Sequence, residues 1–90
     1  MNDEKYNGWT NRETWLIPLW WNECPIEEIE AESKEAAIAA LAVRLEEIFH
    51  ETNETPATGL AADLFAGAVA RINWHEIAEH YIDDIELTVR

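Results

Sequence analysis

Four of the chain's five tryptophans fall in one stretch, Tyr6-Asn7-Gly8-Trp9-Thr10-Asn11-Arg12-Glu13-Thr14-Trp15-Leu16-Ile17-Pro18-Leu19-Trp20-Trp21, and no other part of the sequence restricts the fold as tightly. An indole buries a large apolar area but carries an N–H that needs an acceptor once buried. A run that mixes Trp with Asn and Thr therefore specifies a hydrogen-bonded core. A chain of ninety residues can bury only roughly 60–65% of its unfolded surface, so this aromatic mass is needed to hold a single domain over residues 1–90. Several of Trp9, Trp15 and Trp20 are expected to fold back onto a core shared with Trp74, in preference to forming a stacking platform for sugars or bases.

Thr10 and Glu13 have the spacing of a capping box, which predicts a helix starting near Asn11. Pro18 removes one backbone hydrogen bond and crowds the carbonyl of Thr14, so a kink or early stop is expected there, with Trp20 and Trp21 splayed apart. Residues 23–35 hold six acidic side chains and the pair Cys24-Pro25, suiting an exposed loop or a short helix with Pro25 at its first position. Ser33 can cap a second helix over Lys34 to His50, with Ile38, Leu41, Ala42, Leu45, Ile48 and Phe49 on one stripe. Turn-forming residues break the pattern from Glu51 to Gly59. A third helix should bury Leu60, Leu64, Phe65, Ala68 and Ile72, with Ala61, Gly67 and Ala70 allowing close approach. Asn73 and Glu76 repeat the capping logic for a fourth, whose buried face is Trp74, Ile77, Ala78, Tyr81, Ile82 and Ile85. The fold class expected is all-α, a compact bundle of about four helices, with a possible short C-terminal strand in the alternation Ile85 to Val89.

Nineteen acidic residues against six basic ones leave a net charge of −13. Such a charge repels nucleic acid and anionic membranes, so neither is expected as a direct partner, and a cationic protein surface is the simplest candidate. The lone Cys24 cannot form an internal disulfide, and no Cys/His spacing suits zinc. With no basic and apolar leader at the N-terminus and no run near ~18 apolar residues, the expected location is the cytoplasm.

Catalytic patterns fail on geometry. His75 and His80 are spaced i,i+5, which sets their rings ~140° apart around a helix, whereas a zincin needs i,i+4 on one face. Asp83, Asp84 and Glu86 lack the loop of a calcium site and read as a solvated helix end. Acidic surroundings should raise the Cys24 thiol and leave it unactivated. No catalytic residue, metal or cofactor is expected.

The opening stretch, together with Gly59-Leu60-Ala61-Ala62-Asp63-Leu64 and Asn73-Trp74-His75-Glu76-Ile77-Ala78, resembles a family of small proteins common in bacteriophages, plasmids and their hosts. That family carries a Tyr-Asn-Gly-Trp-x-Asn-x-Glu-Thr-Trp start, and later a Gly-Leu-Ala-x-Asp-Leu helix leading to Asn-Trp-x-Glu-Ile-Ala. This chain departs from it at Pro18 and in its acidic middle. The resemblance implies a mobile-element setting and carries no enzymatic activity with it; the expected location is then the host cytoplasm. Very acidic proteins of this size in that setting are often inhibitors of host defence, of the anti-CRISPR or antirestriction kind.

The acidic set Glu23, Glu27, Glu28, Glu30, Glu32 and Glu35, extended by Glu46, Glu47, Glu51 and Glu54, is the candidate partner-binding surface. Carboxylates three or four apart on a helix lie ~5–6 Å from one another and can imitate a phosphate row before the basic groove of a host nucleic-acid-binding complex. Trp20 or Trp21 would be the aromatic anchor. The alternative is an adaptor that binds a protein partner, or its own copy as a homodimer, through Trp-rich apolar surface.

Overall fold

Side-chain caps set the start of most helices in this chain. In the computed structural model, which describes residues 8–53 and 58–90, the elements run α1 (Arg12–Trp20), β1 (Glu28–Ala31), α2 (Lys34–Thr52), α3 (Gly59–Ala70), α4 (Trp74–Tyr81), a 3₁₀ turn (Ile82–Asp84) and β2 (Glu86–Val89). Asn11, Ser33 and Asn73 each accept a hydrogen bond from the third amide of the helix that follows, at 2.8, 3.1 and 3.0 Å. Each such cap contributes about 1 kcal/mol. Thr58, ahead of α3, makes no side-chain cap bond.

The expected box of Thr10 and Glu13 is corrected by one residue, since Asn11 is the cap of α1. Asn11 Oδ1 also accepts from the Thr14 hydroxyl at 2.7 Å, and Thr14 Oγ1 in turn accepts the Asn73 amide at 2.9 Å. Glu76 likewise does not close a box on its own helix: its Oε1 accepts the amide of Thr10 at 3.2 Å. The starts of α1 and α4 thus cap each other across some sixty residues of chain. Asn11 Nδ2 completes this clasp by donating to the Arg71 carbonyl at 2.8 Å. Thr14 at its centre has no solvent exposure.

Alpha2 and α4 build the core from the faces their periodicity marks. Leu41 and Leu45 from α2 meet Ile77, Ala78 and Tyr81 from α4, all almost fully buried, with Ile17 of α1 and Ala31 of β1 closing two sides. Alpha2 runs two residues past His50 to Thr52, where Asn53 Nδ2 donates back to the Phe49 carbonyl at 2.9 Å. Pro18 lies inside α1, and the helix ends two residues beyond it at Trp20. Trp20 points out and Trp21 packs on the core. Replacing Pro18 with alanine restores a donor near the C-terminal end of α1 and is expected to stabilise the domain by about 1 kcal/mol, read as a raised thermal midpoint.

The domain is mostly helical, and the short C-terminal strand expected within Ile85 to Val89 is present as β2, but the all-α expectation lacks the strand it pairs with. Beta1 and β2 pair in parallel, in the register Glu28↔Glu86, Ile29↔Leu87, Glu30↔Thr88 and Ala31↔Val89. Residues 23–35 are therefore a loop, a strand and the first turn of α2, and no short helix starts at Pro25. A parallel pair needs a long crossover, which the three helices α2, α3 and α4 supply. Burial of Ile29, Ala31 and Leu87 against the core outweighs the weak strand propensity of the glutamates between them.

The third helix departs most from expectation. Alpha3 has no buried residue, and Leu60 and Leu64 are 75% and 65% exposed. Its inward contact is the stacking of Phe65 on Phe49 at 6.3 Å. Tyr6, Asn7 and Glu54, which the sequence reading singled out, lie outside the described residues.

Candidate functional site

Strand alternation sorts the acidic residues. With Ile29, Ala31 and Leu87 turned to the core, Glu28, Glu30, Glu86 and Thr88 stand on the outer face of the two-stranded sheet, all exposed. Successive outward residues on a strand are ~6.6 Å apart and neighbouring strands ~4.8 Å apart. Glu28 and Glu86 are register partners, and like charges in that relation are mutually destabilising. Arg90 Nε lies 3.9 Å from Glu30, and Lys34 Nζ lies 2.9 Å from Asp83. Both pairs are more than half exposed, so neither does more than modest screening.

The sequence-marked set divides in the structure. Glu23 and Glu27 are exposed ahead of β1, Glu28 and Glu30 lie on it, and Glu32 and Glu35 follow, so these six share one region. Glu46 and Glu47 belong elsewhere: eleven residues of α2 carry them ~16 Å from Glu35. There Glu47 accepts from Arg44 Nη1 at 2.6 Å and Glu46 lies 3.9 Å from His50. Helical spacing of carboxylates, the premise for residues 23–35, is replaced by strand spacing. Glu86, read only as a helix end, joins this region because it pairs with Glu28, a relation no local pattern signals.

Beside the sheet face, Glu23, Glu27 and Asp84 border a hollow of about 310 Å³ with Cys24 and Tyr81 in its wall. Burial, and then the charge of Asp84, push the Cys24 thiol above its ordinary range. Tyr81 donates its hydroxyl to the Trp21 carbonyl. Burial first, and then Cys24 and Asp84, push its phenol up to about 12. Folding thus favours the protonated phenol over its value of about 10 in an unfolded chain. The resulting stabilisation is complete below pH ~10 and is lost as pH rises through ~12, a difference of roughly 2–3 kcal/mol. Unfolding measured across that window should show the decline in the natural protein, and Tyr81→Phe should shrink it, leaving the part that belongs to the raised Cys24 thiol. A flat profile in the natural protein would contradict the burial of this phenol.

A second surface is apolar. Alpha1, the end of α2, and α3 enclose an open groove of about 470 Å³ whose walls include Leu16, Trp20, Phe49, Phe65 and Val69. Among the described residues Glu13 is the one charged residue lining it. The Arg71 guanidinium donates to Glu13 at 3.2 Å. The backbone amide of Glu13, with Arg71, holds its carboxyl below the usual range despite partial burial. Beneath the groove Trp74 meets Phe49 and Trp21, with ring centres 5.6 and 6.2 Å apart. The buried Trp74 Nε1 finds no hydrogen-bond acceptor among the described residues.

The expected anchors separate cleanly. Trp20, the last residue of α1, is 80% exposed and lines the groove, so it is not among the tryptophans that fold back onto the core. Trp21 is half-buried against the core, as is Trp9, whose ring meets His80 at 5.0 Å. His75 instead lies 3.8 Å from Glu79, so the two histidines serve different contacts.

These features define a small, mostly helical domain with two open surfaces, one rich in carboxylates and one apolar. The chain belongs to DUF7249, a family of unknown function whose model matches residues 2–89. No curated protein and no solved structure matches it. Among the described residues, no helix is long and apolar enough to cross a membrane.

Proposed function

We propose that this protein is a non-enzymatic inhibitor, encoded by a phage or other mobile element, that acts in the host cytoplasm by binding the basic groove of a nucleic-acid-binding defence complex, of the anti-CRISPR or antirestriction kind. The observation that carries the reading is the outward ladder of Glu28, Glu30 and Glu86 on an open sheet, in a chain of net charge −13. Strand geometry repeats carboxylates at short regular intervals, and the isolated fold leaves their repulsion largely uncompensated. A Lys/Arg groove that grips phosphates offers the compensation, with fast, salt-sensitive association. No nucleic acid, membrane, metal or cofactor takes part in this reading.

The experiment is inhibition of DNA binding by CRISPR surveillance complexes and restriction enzymes in the presence of the purified protein. Inhibition that strengthens at low salt is expected. Absence of co-elution with any of them, together with unchanged phage plating, would remove the proposal.

A second reading has its own support. The 80% exposed Trp20 beside an apolar groove favours an adaptor that holds a protein through apolar contact. Such binding tolerates salt, which separates the two readings in one titration.

A further inference from the structure

We propose that the apolar groove and the outer face of α3 form the contact between two copies of this chain, making a two-fold symmetric dimer. This names the occupant within the adaptor reading, and it stands whether or not the acidic face inhibits a defence complex.

The first argument is charge. Alpha3 carries one ionisable residue, Asp63, in twelve, within a chain of net charge −13. Among the described residues the groove's single lining charge, Glu13, is already matched by Arg71. A basic partner finds little to grip here, whereas a second copy can approach on this side with Asp63 as the one α3 carboxylate it brings toward the first. The second argument is shape. A two-fold contact needs one patch that is complementary to itself. This side supplies the groove with the exposed Trp20 in its wall, and α3, which lends Phe65 and Val69 to that wall, also exposes Leu60 and Leu64. Leu60 and Leu64 are one turn apart and continue toward the N-terminal end of the stripe whose later residues wall the groove.

The third argument is stability. A twelve-residue helix is at the margin of the ~12–15 residues below which an isolated helix is marginal in water, and α3 has no buried residue to hold it. Covering it with another α3 supplies the missing burial. Trp20 alone can bury up to ~200 Å². Leu19, Leu60 and Leu64 are each more than half exposed and add to the apolar area that a standard interface of ~800 Å² per partner would draw on.

Sedimentation equilibrium over protein concentration and salt tests the proposal. The natural protein should dimerise, and raising salt from ~50 to ~500 mM should tighten the dimer about tenfold, because screening weakens the repulsion between two like-charged copies. Leu64→Asp and Trp20→Ala change exposed side chains and should give monomers with unchanged circular dichroism. A natural protein that stays monomeric at high concentration and high salt overturns the dimer, as do variants that associate like the parent. Loss of inhibition at high salt, the signature of the acidic face, has the opposite sign, so failure of one idea is not mistaken for failure of the other.

Discussion

Asn11→Ala is expected to lower the unfolding free energy by about 3 kcal/mol, about three times the effect of Ser33→Ala at an exposed cap. Both substitutions remove an N-cap oxygen, a loss of about 1 kcal/mol. Asn11 does more. Its Oδ1 serves both the amide and the hydroxyl of Thr14, a residue with no solvent exposure, and its Nδ2 serves the Arg71 carbonyl. Leaving buried polar groups without partners adds about 1–3 kcal/mol. Chemical denaturation of the two variants side by side provides the measurement. Equal losses would show that the bonds from Asn11 to Thr14 and Arg71 contribute no more than an ordinary helix cap.

Neutralising the sheet face with Glu27→Gln, Glu28→Gln, Glu30→Gln and Glu86→Gln is expected to weaken inhibition of a basic defence complex about a hundredfold, mostly through slower association. The same change should leave the fold intact or slightly firmer, since it relieves the opposition of Glu28 and Glu86. Glu46→Gln with Glu47→Gln is the internal control, because these carboxylates stand apart on α2 and already have partners there. Competition binding at two salt concentrations reads both. Inhibition that survives the fourfold change would leave the adaptor reading standing alone.

Much of this architecture is legible in local pattern. Ser33 and Asn73 cap where their spacing says they should, and the stripes of α2 and α4 mark residues that are buried. The misses share a physical cause: each depends on a partner distant in sequence. Thr10 and Asn11 can both cap a helix, and what selects Asn11 is the simultaneous bond from Thr14 to Asn73. Glu28 to Ala31 is a short, acidic strand with a partner near the far end of the chain, so neither propensity nor length announces it. Alpha3 has a clear apolar face, but periodicity states which residues share a side and not whether another element covers it. The acidic site was legible as composition. Its geometry, and the membership of Glu86, required the strand register.

The interlocked caps of α1 and α4 also set an order of events during synthesis. Alpha1 is nine residues long, too short to persist alone in water, where isolated helices below ~12 residues are marginal. The groups that satisfy its first turn from outside are Arg71, Asn73 and Glu76. At ~5–20 residues per second, a ribosome reaches those residues roughly 3–12 s after it has made Thr10 to Thr14. The tryptophan-rich stretch, made well before its partners, is therefore among the last parts to settle. Until then its indoles are exposed in the nascent chain, open to whatever chaperone meets it.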